Sequence, residues 1–135
     1  MRDRAVFDTG VIVALYFEED ASERAVTAAG KYNPITLDIA AAEVGNVAWK
    51  RVVQFGEDKD AIWQSLSKCL EFIQSCTQIS SMDLARLAYD IALENRTTFY
   101  DSLFLAAAES EKVPLLTLDR KMYEKAKGNL NVQMV

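Results

Sequence analysis

The sequence has no histidine. That absence excludes Ser-His-Asp and Cys-His catalysis, imidazole general bases and histidine-ligated zinc. Cysteine is almost as scarce. Cys69 and Cys76 are the only two, seven residues apart in a segment that reads as helix, so their backbones stand roughly 10 Å apart and beyond disulfide reach. Buried free thiols in a reducing cytoplasm are the expectation. Five glycines and two prolines leave no room for a linker, and no period repeats. The longest unbroken apolar run, Val11 to Phe17, has seven residues, too few to span a membrane. Asp8 and Gly10 before it and Glu18-Glu19-Asp20 after it fit no secretory signal. A membrane is not an expected partner.

What the sequence does hold is apolar residues and carboxylate. Half of the 135 residues are apolar, enough for a real core, and the length suits one domain over residues 1–135. Twenty acidic residues against fifteen basic ones give a formal charge of −5. That sign disfavours capture of nucleic acid by bulk attraction. It leaves open a local arrangement in which the acidic excess is gathered at one site and cancelled by bound cations. With histidine absent, Asp and Glu are the available tools, used directly or as ligands for hard, oxygen-loving cations.

Hydrophobic patterning predicts a short buried strand over Ala5-Val6-Phe7, a turn at Asp8-Thr9-Gly10 and a helix from Val11 to Phe17. An amphipathic helix from Asp20 closes at Gly30. Pro34 to Leu37 reads as a second strand, with Asp38 as cap of a long helix to about Phe55. Gly56 and Glu57-Asp58 separate it from a helix burying the stripe Ile62, Leu66, Cys69, Leu70, Ile73 and Cys76. Thr77 to Ser80 is a weak strand, followed by helices from Met82 to about Asn95 and from Asp101 to about Lys112. Pro114 to Leu118 is a clear strand, with a short helix from Asp119 and a last strand over Asn131 to Val135. Apolar strands alternating with helices predict an α/β fold: a three-layer α/β/α sandwich on a short parallel sheet. Ligands of such sheets bind beyond the carboxyl ends of the strands, where strand order reverses.

Asp8 and Asp119 each follow a predicted strand and so emerge on that edge. Asp101 opens a helix after Thr97-Thr98-Phe99-Tyr100, which is placed on the same edge if a strand precedes it. Glu43 lies at the border of the buried stripe Val44, Ala48, Val52 and Phe55, facing a cleft. Four like charges near a core repel one another or protonate, so a divalent metal is the natural counter-charge. Magnesium suits a few carboxylate oxygens and keeps open positions for a phosphate. Each residue also has a plainer reading: Asp101 and Asp119 as helix caps, Glu43 as a surface partner of Lys50. Asp8, directly after a buried strand and before Thr9-Gly10, has no evident structural need for charge.

Four segments carry a resemblance: Val6-Phe7-Asp8-Thr9, Ala42-Glu43-Val44-Gly45-Asn46, Tyr100-Asp101-Ser102 opening an alanine-rich helix, and Leu115-Leu116-Thr117-Leu118-Asp119. In order, spacing and total length the chain resembles the PIN domain family, in particular its short members, the VapC-type toxins of toxin-antitoxin pairs. The resemblance implies a metal-dependent endoribonuclease in which Asp8, Glu43, Asp101 and Asp119 hold one or two Mg²⁺ or Mn²⁺ ions. One ion would activate water for in-line attack and the other would stabilise the leaving oxygen. It further implies support of the site by Thr9, Asn46 and Thr117, a homodimer, and a VapB-like antitoxin that blocks the site with an Arg or Lys. The family often carries a hydroxyl residue two places after its first aspartate, where this chain has Gly10.

Lys50, Arg51, Arg96, Arg120 and Lys121 are the basic residues expected to flank the cleft and meet phosphate, against a plainer reading as solvated helix faces. Trp49 and Trp63 could stack bases, though core or interface is the commoner role. A receiver-type domain would need adjacent acids where Asp8 has Phe7 and Thr9. A dehalogenase-class phosphatase would need an aspartate at Gly10. Two readings compete seriously with a toxin: an RNA-processing PIN nuclease without an antitoxin, and a catalytically silent PIN scaffold that binds protein.

Overall fold

In the computed structural model, which describes residues 2–135, the elements in chain order are β1 (Asp3–Phe7), α1 (Thr9–Tyr16), α2 (Ser22–Ala29), β2 (Tyr32–Leu37), α3 (Ala40–Val53) and α4 (Lys59–Ser75). They continue as β3 (Thr77–Ile79), α5 (Ser81–Asn95), α6 (Phe99–Glu111), β4 (Leu115–Thr117), α7 (Arg120–Ala126) and β5 (Val132–Met134). The strands form one parallel sheet ordered β3-β2-β1-β4-β5. Parallel pairing requires a crossover between neighbours, and the helices that make the crossovers cover both faces. On one face α5, α6 and α7 pack over Val6, Ile35, Leu37 and Leu115. On the other α1, α3 and α4 pack over Ala5, Phe7 and Leu116. The expected three-layer α/β/α sandwich is the observed architecture.

Because side chains alternate along a strand, β1 feeds Val6 to one core and its neighbours Ala5 and Phe7 to the other. All three are fully buried, which gives the central strand the hydrophobic anchorage a short strand needs. α6 is buried over seven consecutive residues, Ser102 to Ala108. A helix enclosed on that scale must be narrow, and Ala106-Ala107-Ala108 makes it so.

Several boundaries differ from expectation for local reasons. No turn separates β1 from α1, because the Asp8 carboxylate accepts from Val11 N and starts the helix at once. Asp38 does not cap α3. It accepts instead from Ser81 N at 3.0 Å and from Ser81 Oγ, tying the end of β2 to the start of α5. α6 follows a helix rather than a strand and begins at Phe99, since Thr98 supplies the cap: its Oγ1 accepts from Asp101 N at 3.0 Å. Arg96 absorbs the reversal from α5 with φ 57°, a left-handed conformation costly for a side-chain-bearing residue. Gly56, at φ 69°, makes the turn between α3 and α4 where only glycine is unstrained. Both cysteines are free and buried, and burial pushes both thiols up to about 12.

Candidate active site

The sheet changes direction at β1: one crossover runs outward to β2, and the chain later returns to place β4 on the other side. That is the switch point where a crevice opens in folds of this kind. β1 and β4 pair in the register Val6 to Leu115 and Phe7 to Leu116, so the next step sets Asp8 opposite Thr117. Thr117 Oγ1 donates to Asp8 Oδ2 at 2.5 Å and accepts from Asp119 N at 3.0 Å. One buried hydroxyl therefore braces the Asp8 carboxylate and the Asp119 backbone, at the ends of both central strands. Thr9, the first residue of α1, donates to Glu43 Oε1 at 2.6 Å and fixes the first turn of α3. Thr9 and Thr117 thus sit where the sequence expected supporting residues. Asn46, the third, stands exposed one turn beyond Glu43, and among the described residues its side chain hydrogen-bonds to none of the carboxylates.

Asp8, Glu43, Asp101 and Asp119 all line one cavity of about 160 Å³, together with Thr9, Gly10 and Phe104. Each comes from a helix N-terminus. Asp8 caps α1 and Asp119 caps α7, while Glu43 and Asp101 occupy the first turns of α3 and α6. The positive ends of the helix dipoles are favourable places for carboxylates. They do not remove the strain of gathering four. Burial pushes the Asp8 carboxyl up to about 6, against the donors Thr117 and Val11 N, and the charges of Asp101 and Asp119 add to the rise. Glu43 is raised by burial and by Asp101, with Thr9 opposing. Asp101 is raised by burial and by Asp119, with Lys125 opposing.

The plainer readings fare unevenly. Asp119 does cap a helix, Asp101 does not, and Glu43 pairs with Thr9 rather than Lys50. Asp8 has a structural role after all, as the cap of α1. Gly10 leaves Asp8 with two donors already in place, and a Cβ there would meet Asp8 Oδ1 at an ordinary 3.5 Å. The donor set consists wholly of hard carboxylate oxygens, which fits magnesium or manganese in chemistry and in charge. As they stand, no three acidic or cysteine side chains among the described residues are close enough to share one ion.

None of the five expected phosphate contacts lines this cavity. Arg51 is pinned over the Phe17 ring, 5.3 Å from its centroid, and pairs with Glu57 at 2.5 Å and Glu19 at 3.5 Å. It is a strut between α3 and the segment after α1 rather than a free cation, a correction to the sequence expectation. Arg120 pairs with Glu124 at 3.6 Å, and Arg96, Lys50 and Lys121 are exposed. Lys125, which the sequence reading passed over, donates to the Arg96 carbonyl at 2.9 Å and faces Asp101 closely enough to stabilise its charge. Trp49 and Trp63 are not core: they are 52% and 59% exposed, beside Val53 and Phe55 on the α3–α4 side.

Comparison with known proteins agrees with this geometry. The PIN domain sequence model matches residues 5–128. Ribonuclease VapC3 of Pyrobaculum aerophilum is 35% identical over 123 residues, covering 90% of this chain and 94% of that protein. Exonuclease VapC9 of the same organism is 29% identical over 97 residues, covering 72% and 70%. In fold, a chain of a toxin-antitoxin complex from Klebsiella pneumoniae superposes with a TM-score of 0.71 at 19% identity, over 96% of this chain and 95% of that one. With the sheet order, the carboxylate cavity and the sequence match over most of its length in agreement, the chain belongs to the PIN domain family.

Proposed function

We propose that this chain is a metal-dependent endoribonuclease, the toxin of a VapBC-type pair, with residues 1–135 acting as one nuclease domain. The observation that carries the reading is the convergence of Asp8, Glu43, Asp101 and Asp119, from four separate elements, on one cavity at the sheet's switch point. Kinship with a VapC ribonuclease supports the substrate class. One or two Mg²⁺ or Mn²⁺ ions held there would supply a nucleophilic hydroxide and neutralise charge on the scissile phosphate. The chain's own residues prepare that chemistry. Thr117 and Val11 N hold Asp8 at a fixed angle, Thr9 holds Glu43, and Thr98 starts the helix that presents Asp101. The helix N-termini favour an incoming phosphate as well as carboxylates. Lys50, Arg96, Arg120 and Lys121 remain as exposed cations for phosphates farther along the RNA.

A VapB-like antitoxin and a second copy of the chain are the partners of this reading. The toxin-antitoxin complex sharing the fold supports the first. Exposed apolar side chains support covered surfaces in general: Trp49, Val53, Phe55 and Trp63 on the α3–α4 side, and Met82, Tyr89 and Leu93 on α5. A cytoplasmic location goes with it, where RNA is abundant and thiols stay reduced; no described helix is long and apolar enough to cross a membrane. The test is RNA cleavage by wild type and Asp8→Asn with Mg²⁺, with Mn²⁺ and with chelator. Cleavage by wild type that needs metal and is lost in the variant is expected; equal cleavage by both proteins would overturn the assignment.

A further inference from the structure

Beside the acidic cavity lies a second, larger cleft of about 570 Å³, and Thr9 and Glu43 line both, so the two adjoin. Its floor is Ile39, the residue before α3, and the stripe Ala42, Asn46 and Val47 that continues it along the helix. Its wall is Tyr100, whose neighbour Asp101 lines the acidic cavity. Tyr100 is 65% exposed, so its ring is open to a ligand entering the cleft. The Asn46 amide is exposed and, among the described residues, makes no hydrogen bond, so both its donor and its acceptor are available.

We infer that this cleft is a nucleobase site: the base next to the phosphate at the acidic cavity stacks on Tyr100, and Asn46 reads its edge. The inference rests on the ribonuclease reading and adds to it the residues that choose the cleavage position. Three features favour a base. The floor residues Ile39, Ala42 and Val47 are apolar, and the one charged residue of the lining is the anionic Glu43, so the cleft suits a flat, uncharged, polarisable group rather than phosphate. The volume falls in the range of about 300–1,000 Å³ that small ligands occupy. Aromatic stacking with one amide at the base edge is a standard means of reading single-stranded RNA. Tyr100 sits on the first turn of α6 while its chain neighbour Asp101 lines the acidic cavity, which would tie the base's position to that of the bond to be cut.

The experiment has two readouts. Short single-stranded RNAs carrying 2-aminopurine at one position each are titrated with wild type, Tyr100→Phe and Tyr100→Ala in Ca²⁺. The same proteins, with Asn46→Asp, are profiled for the bases flanking their cleavage sites in Mg²⁺ or Mn²⁺. Quenching is expected at one register in wild type and Tyr100→Phe and absent in Tyr100→Ala, whose affinity falls by about tenfold. Asn46→Asp, which keeps an acceptor and loses the donor, is expected to change the preferred base while leaving the quenched register in place. Wild-type quenching and an unaltered cleavage profile in Tyr100→Ala would overturn the inference. If wild type cleaves RNA with a profile indifferent to Tyr100, the ribonuclease reading stands and the base site falls. If wild type cleaves nothing, that reading falls, and the fluorescence still decides the base site.

Discussion

At the scale of single residues, Asp8 carries two opposed demands. It caps α1 and accepts from Thr117, yet burial keeps its carboxyl protonated up to about pH 6, against an ordinary 3.8. Between those values the folded chain binds more protons than the unfolded one, so metal-free stability falls as pH rises through the window. Glu43 and Asp101, also raised, act in the same direction. Urea denaturation in chelator is therefore expected to show a loss on the order of 1–3 kcal/mol between about pH 4 and pH 7. Asp8→Asn should lack most of that step and be more stable than wild type at pH 7, while losing cleavage. Mg²⁺ or Mn²⁺ should raise the wild-type melting temperature at pH 7 more than that of the variant. Thr117→Val keeps the shape of the residue but removes the donor to Asp8 and the acceptor for Asp119 N. It should cost about 1–3 kcal/mol by the same denaturation, because buried polar groups are then left without partners.

At the scale of elements, the acidic site depends on how helices begin. Thr98 provides the cap that starts α6, so Thr98→Ala should lose about 1 kcal/mol in thermal denaturation and reduce cleavage by loosening Asp101. Unchanged cleavage would show that Asp101 is held by the buried length of α6 instead. How far sequence sufficed is clearest here. Asp8 and Asp119 were readable because each follows an apolar strand run, and a parallel sheet brings strand ends to one edge. Asp101 reached the same edge by a route the pattern could not reveal: a left-handed turn at Arg96 and a threonine cap join α6 directly to α5. Arg51 and Lys125 exchanged roles for a similar reason. Pairing with Glu19 and Glu57, or proximity to Asp101, depends on contacts between elements that no local window contains.

At the scale of the whole molecule, a formal charge of −5 with four carboxylates in one cavity means that the metal-free chain repels RNA most strongly where it would cut. RNA affinity is expected to rise sharply on adding Ca²⁺ or Mg²⁺. Because few free cations surround the cleft, the slope of log K against log salt should be shallower than about −3, as filter binding across a salt series would show. A steep slope would mean that a basic surface elsewhere dominates binding. The pairing of β1 with β4 also bears on when, under the proposed function, the site can first form. The bond from Thr117 to Asp8 joins residues 109 positions apart, and contacts so distant in sequence close late in folding. A nascent chain shorter than 101 residues holds Asp8 and neither Asp101 nor Asp119. Until all four carboxylates have been synthesised the cavity cannot assemble, so under the proposed function a partial product is harmless to RNA, the message that encodes it included.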